Sequence, residues 1–234
     1  MSKTRLFQSI KALDVEAVAS LLETDPGLLR VVDDRRRNPL HFLCGLPAAR
    51  RTSARSLALA RRLLDAGLDV NAPAFLEDAF QATPLWYAIA RGRNLPLARL
   101  LLERGSTPEH CLWAAAFAED VEAIDLLVRS GARVDPVTEA ETPFQFAIKW
   151  SRFVGAERML RHGANVNFQN SKGLTALHLV LKKNSDRKHV LMLLRHGADP
   201  TIRSRDGKSP LDLVRNRRDK TWFTLLSRRS PGSS

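Results

Sequence analysis

The apolar positions of this chain return in a fixed phrase. Two bulky apolar residues, two or three further residues and a glycine recur. The copies are Leu63-Leu64-Asp65-Ala66-Gly67, Leu101-Leu102-Glu103-Arg104-Gly105, Leu126-Leu127-Val128-Arg129-Ser130-Gly131, Met159-Leu160-Arg161-His162-Gly163 and Leu193-Leu194-Arg195-His196-Gly197. The glycines stand 38, 26, 32 and 34 residues apart. Polar stretches follow several of them: Asp69-Val70-Asn71, Asn165-Val166-Asn167 and Asp199-Pro200-Thr201. A second phrase opens most units: Asn38-Pro39-Leu40-His41, Thr83-Pro84-Leu85-Trp86, Thr142-Pro143-Phe144-Gln145, Thr175-Ala176-Leu177-His178 and Ser209-Pro210-Leu211-Asp212.

The two phrases read as the start and the stop of a helix pair. Thr, Ser or Asn stands where a helix needs an N-cap, and Pro follows where its missing N–H costs nothing. The glycine adopts the left-handed conformation that ends the second helix. Each pair is too small to bury its own apolar side, so neighbouring pairs must stack. A period of this length with these phrases resembles the ankyrin repeat, whose signature is Thr-Pro-Leu-His followed later by Leu-Leu-x-x-Gly-Ala. The resemblance implies an all-α fold: an ankyrin-repeat solenoid of about seven helix–turn–helix units with short β-hairpin fingers.

The units are expected near 1–33, 34–71, 72–105, 106–135, 136–167, 168–200 and 201–230, one domain over 1–230 with a disordered tail at 231–234. The first unit is predicted to hold helices over 3–13 and 15–23, the seventh over 210–216 and 220–227. Three departures from the period carry information. An insertion near 46–53 separates the helices of unit two, as a surface loop or a contact. The finger before unit three is long and carries Phe75, Leu76 and Phe80 among Glu77 and Asp78. Those rings either contact a partner or fold back on the stack. Unit four lacks its finger, because Ser106-Thr107-Pro108-Glu109 leads straight into the helix with Cys111 and Trp113.

Composition narrows the class. With 44% hydrophobic and 26% charged residues in 234, the chain can build a core and is not disordered overall. The apolar run 112–118 falls far short of the roughly 20 residues of a membrane helix. Polar Gln8, Ser9 and Lys11 break any leader-like apolar stretch. Two cysteines are too few for a disulfide framework, so a reducing compartment is expected, and the excess of Arg over Lys fits a cytoplasmic, bacterial type of protein. The net charge of +12 is uneven. Residues 149–234 hold 19 basic and 6 acidic side chains, whereas residues 75–148 hold 6 and 11. Such a field favours encounter with acidic partners.

Ankyrin proteins generally bind through finger tips and the outward ends of first helices, on the concave side. Aligned by the opening phrase, those ends are Gly45/Leu46, Ala90/Arg91, Ala116/Phe117, Lys149/Trp150, Lys182/Lys183 and Asn216/Arg217. Later fingers offer Lys172, Arg203, Arg205 and Lys208. A basic groove with Trp150 and Phe117 as apolar anchors is expected, unless these side chains form only a solvated face. Trp and Arg are frequent hot-spot residues.

Candidate chemistry is sparse. His41 and Cys44 have metal-like spacing, but the resemblance makes His41 and His178 structural, bonding finger backbone, and puts Cys44 and Cys111 in the core. His162 and His196 precede terminating glycines, where a cation suits a helix end. No four-ligand zinc spacing, phosphate-binding glycine loop or nucleophile elbow occurs. Pairs such as Asp33-Asp34 and Glu119-Asp120 read as caps. The expectation is a protein–protein interaction module with no catalytic residue, metal or cofactor, binding an acidic partner protein. Polyanion binding, to nucleic acid or an anionic membrane surface, is the alternative. A host-directed or inhibitory role is a third reading that the residues do not separate from the first. Polar end units favour a monomer.

Overall fold

The computed structural model describes residues 2–47, 53–75, 81–138, 141–215 and 219–227. Most of the insertion of unit two, the tip of the long finger with Phe80, Arg217 and the tail 231–234 lie outside the described residues.

Fourteen α-helices among the described residues fall into seven successive pairs. They are α1 (Ser2–Ala12) and α2 (Val15–Thr24), α3 (Pro39–Cys44) and α4 (Ser53–Asp65), α5 (Pro84–Tyr87) and α6 (Leu95–Glu103). They continue as α7 (Cys111–Phe117) and α8 (Val121–Arg129), α9 (Pro143–Lys149) and α10 (Phe153–Arg161), α11 (Ala176–Lys182) and α12 (Arg187–Arg195), α13 (Pro210–Arg215) and α14 (Thr221–Ser227). The chain divides into two compact units, 1–114 with 125–132 and 115–124 with 133–234.

The opening phrase does what its chemistry requires. The side chains of Asn38, Thr83 and Thr142 accept the N–H of His41, Trp86 and Gln145, three residues on. Pro39, Pro84 and Pro143 occupy the first turn, where no N–H is needed. At α11 the cap is reciprocal: the Thr175 N–H donates to Nδ1 of His178, 3.1 Å away. The closing phrase is equally direct. Gly163 sits at φ +85°, and the next N–H, of Ala164, turns back to the Met159 carbonyl at 3.0 Å. An L side chain is disfavoured at that φ, so glycine ends α10.

In the first unit, α3 packs on α1, α4 and α5, while α4 packs on α2 and α6. Leu6, Ile10, Leu40, Leu59, Leu63, Leu85 and Leu101 are fully buried there. In the second unit, α9 packs on α10 and α11, and α13 on α11 and α14. Its core holds Phe144, Ile148, Met159, Leu177, Val180 and Leu193. Among the described residues the strands are minimal: β1 (Ala74–Phe75) pairs antiparallel with β2 (Gln81–Ala82). A bridge links Thr138 and Glu141. Residues 106–110 hold no strand, as the missing finger of unit four requires.

The polar stretches after the glycines form a ladder from one pair to the next. In the first unit, Asn71 donates to the Gly105 carbonyl (3.1 Å) and accepts the Thr107 N–H (2.9 Å). In the second, Asp135 accepts the Asn165 N–H (2.7 Å). There Asn167 also donates to the Gly197 carbonyl (3.0 Å) and accepts the Asp199 N–H (2.8 Å). One amide side chain thus satisfies a donor and an acceptor that the end of the next pair leaves open.

The tightest approach in the second unit is at Gly155 on α10. A Cβ there would lie 2.4 Å from the Ala116 carbonyl oxygen. This explains why Ala116, expected to point outward beside Phe117, is fully buried. Gly155→Ala is expected to destabilise the fold by about 2 kcal/mol or more, because backbone rather than a flexible side chain must yield. Gly163→Ala, which meets only the left-handed backbone penalty, is expected to cost about 1 kcal/mol. Urea unfolding of both variants beside the parent checks the order; equal costs would contradict the close-packing account.

Candidate functional site

Phe146 and Trp150 stand four residues apart, at the spacing that puts side chains on one helix face. Their ring centroids are 6.2 Å apart. Phe117 joins them, 6.0 Å from Phe146 and 6.1 Å edge-on to Trp150. The guanidinium carbon of Arg152 lies 4.5 Å from the Phe117 ring centre, a cation–π contact. The cluster is open to solvent. Trp150 is 52% exposed, Phe117 40% and nearby Val154 55%, three of the five large exposed apolar side chains among the described residues.

The backbone holds this surface in place from several sides. After α9 the chain reverses at Ser151, φ +58°, and the Arg152 N–H returns to the Ala147 carbonyl at 2.8 Å. The Lys183 ammonium donates to the Lys149 carbonyl (2.5 Å) and to Ser151 Oγ (3.0 Å), tying α11 to that reversal. The Glu119 carboxylate accepts the Val154 N–H at 2.9 Å, where an anion also suits the start of a helix. Arg152 is less well served. Its Nε is buried with no hydrogen-bond partner, and no carboxylate pairs with it among the described residues.

The cations proposed from sequence divide by what they already do. Lys149 pairs with Glu141 at 3.3 Å, a half-exposed contact of little strength. The Lys183 ammonium is taken up by the chain reversal. Arg203 contacts Asp212 at 3.1 Å. Lys172, Lys182, Arg205 and Lys208 are exposed. Phe75 lies in β1 and pairs with Gln81 through its backbone; Phe80 and Arg217 are outside the described residues. Phe117 and Trp150 come together, whereas Phe146, Arg152 and Val154 were not foreseen. The spacing of Phe146 from Trp150 could have revealed the first. Arg152 and Val154 depend on a chain reversal that no local motif announces.

The basic fingers are stapled to the helices beneath them. The Ser204 N–H bonds the Lys208 carbonyl across one tip (2.9 Å), and the Asn170 N–H bonds the Leu174 carbonyl across another (3.1 Å). Adjacent tips join through the Arg205 N–H to the Lys172 carbonyl (3.1 Å) and the Gln169 amide to the Arg203 carbonyl (2.9 Å). From below, His178 Nε2 donates to the Lys208 carbonyl at 3.0 Å. Gln145 fills the same slot one pair earlier, donating to the carbonyls of Phe168 (2.7 Å) and Leu174 (2.9 Å). In the first unit His41 Nε2 lies 2.8 Å from the Ala72 carbonyl, and burial holds its pKa down to about 4.

Among the described residues no three His, Cys, Asp or Glu side chains form a group able to hold a metal. Cys44 and Cys111 are buried, and burial raises both thiols, that of Cys111 to about 12. No described helix is long and apolar enough to cross a membrane.

Residues 111–211 match the family profile of ankyrin repeats in three copies. These residues are ankyrin repeats. A Fowlpox virus (strain NVSL) ankyrin repeat protein is 30% identical over 111 residues, covering 45% of this chain and 33% of the viral protein. The chain spans well under half the length of the curated relatives it matches. The likeness in fold runs further. The crystal structure of the human ASB11 ankyrin repeat domain has a TM-score of 0.71 at 22% identity, covering 98% of this chain and 99% of that one. The ankyrin repeat domain of Bcl-3, of the IkappaB family, has a TM-score of 0.72 at 23% identity, covering 95% and 97%. The fold is therefore an all-α ankyrin-repeat fold, generally a non-catalytic scaffold for protein–protein interaction.

The ankyrin finger staple carries a pH signature. Nδ1 of His178 must stay unprotonated to accept the Thr175 N–H, and burial lowers the pKa from the ordinary 6.5. The unfolded chain therefore binds a proton that the folded chain refuses as pH falls below about 6.5. Stability from this group is complete above that pH and declines below it. His178→Gln, which places the amide of Gln145 in the later slot, is expected to leave the melting temperature at pH 7.5 within a few degrees and to reduce its fall between pH 6.5 and 5. Melting curves across that range check it; an unchanged acid slope would contradict the assignment.

Proposed function

We propose that the second unit binds an acidic partner protein through the Phe117–Phe146–Trp150 cluster and the basic tips of the later fingers. The observation that carries this reading is an aromatic cluster left open to solvent at the start of the basic last third of the chain, where Trp150 meets Phe117 and Phe146, with Arg152 half-buried and unpaired beside it. Exposed aromatic rings near arginine are the composition of interface hot spots. In the same unit Lys172, Lys182, Arg205 and Lys208 are exposed and form no ion pair with a described carboxylate. Function is then occupancy: the repeats hold, mask or scaffold another protein. Charge pairing sets the encounter rate and the choice of partner, and the aromatic cluster sets the residence time.

Polyanion binding uses the same cations but not the same rings. Phe117 meets Trp150 edge-on, at 79°, so the cluster offers no flat platform for successive bases. Replacement of Lys172, Lys182 and Arg205 by Glu is expected to leave the fold intact, because these side chains are exposed and the finger bonds of Lys172 and Arg205 run through their backbones. The triple variant is expected to lose the principal protein recovered by wild type from nuclease-treated lysate, or to recover at most a tenth of it. Quantitative mass spectrometry checks this. Recovery equal to wild type would remove the basic fingers from the site. Competition of the capture by generic DNA would favour the polyanion reading.

A further inference from the structure

Arg152 stands out from the other cations of the second unit. A guanidinium that gives up part of its hydration without a counter-ion is left with unmet hydrogen-bonding capacity. Its Nε is buried and empty-handed, its charged carbon rests over Phe117, and the chain reversal at Ser151 fixes its backbone. An arginine stacked on a ring has lost much of the rotamer freedom that a surface arginine surrenders on binding. Beside it, Trp150 and Phe117 each keep two-fifths or more of their surface exposed. A planar cation and an apolar step therefore stand side by side. A ligand that satisfies both must carry a carboxylate and a large apolar side chain within a few residues of each other.

We infer that the Arg152–Phe117–Trp150 surface recognises a short linear peptide segment in which an aromatic or large aliphatic residue is flanked by Asp or Glu. The inference rests on the acidic-partner reading and narrows it from a charged surface to a motif. The carboxylate pairs with the Arg152 guanidinium, a charge-assisted bond in a partly dry setting. The apolar side chain covers the rings of Trp150 and Phe117. Lys182, exposed on the end of α11, favours a second acidic residue. A phosphodiester also pairs with arginine, but it brings a charged backbone rather than an apolar side chain to the exposed rings. The observations thus favour the peptide, and an oligonucleotide becomes an arm of the test.

The test selects random 12-residue displayed peptides on the full chain, then measures the synthetic consensus peptide by titration calorimetry. The expected consensus holds one large apolar residue with Asp or Glu within three positions. Trp150→Ala and Arg152→Ala should each weaken it at least about tenfold, and Arg152→Lys at least about fivefold, since lysine keeps the charge but loses the planar stack. Replacing the peptide's acids by Asn and Gln should cost about tenfold on wild type and little on Arg152→Ala. A melting curve of Arg152→Ala checks that it folds, so the peptide substitutions isolate the charge pair. A consensus without acids, or Arg152 and Trp150 variants that bind like wild type, overturns the inference. If the finger reversal abolishes binding while Trp150→Ala does not, the acidic-partner reading stands and this motif falls. If single-stranded DNA binds more tightly than the peptide, both fall.

Discussion

The structure depends on a side chain near the start of three of the first helices, α3, α9 and α11, reaching across to the backbone of the finger that follows. His41, Gln145 and His178 occupy that slot, and each meets a main-chain carbonyl that the finger's turn leaves open. Two kinds of residue serve because the requirement is an N–H at a given reach, not an imidazole. Helices of six or seven residues, such as α11 and α13, have little independent stability. They persist because they are capped at one end, stacked on the next pair, and bonded to a finger. The ladder of Asn71, Asp135 and Asn167 adds bonds of the same kind after the second helices of three pairs.

This arrangement explains why the fold was legible in the sequence while much of the site was not. Caps, proline at the first turn and a left-handed glycine are local devices, each written in two or three residues. Helix starts at Pro39, Pro84, Pro143 and Pro210 and the glycine stops at Gly163 and Gly197 could be read directly. Trp150 and Phe117 were identifiable because they occupy aligned positions. Arg152 and the burial of Ala116 were not: the first depends on the chain reversal at Ser151, the second on Gly155 bringing α10 against the Ala116 carbonyl, a close approach set by tertiary packing. The engagement of Lys183 with the Lys149 carbonyl is likewise invisible in a charge count, which scores it as a free cation.

The proposed site therefore differs in kind from a uniform basic groove. Some cations serve the scaffold: Lys183 holds a chain reversal, and Arg203 contacts Asp212. Others, on the fingers and at Lys182, remain exposed. The aromatic cluster lies where first-helix end, chain reversal and following helix meet, so its geometry is fixed by the same bonds that fix the repeat. A rigid surface of that kind loses little entropy on binding, and specificity then rests on which side chains a partner brings to it.

The central claim is that binding is seated on the second unit at this cluster. Hydrogen–deuterium exchange, followed by mass spectrometry on the full chain with and without its captured protein partner, addresses it most directly. The account predicts added protection in peptides covering 115–119 and 146–154, with a smaller effect over 170–174 and 204–208. Protection confined to residues 2–110, with these segments exchanging as in the free protein, would contradict it.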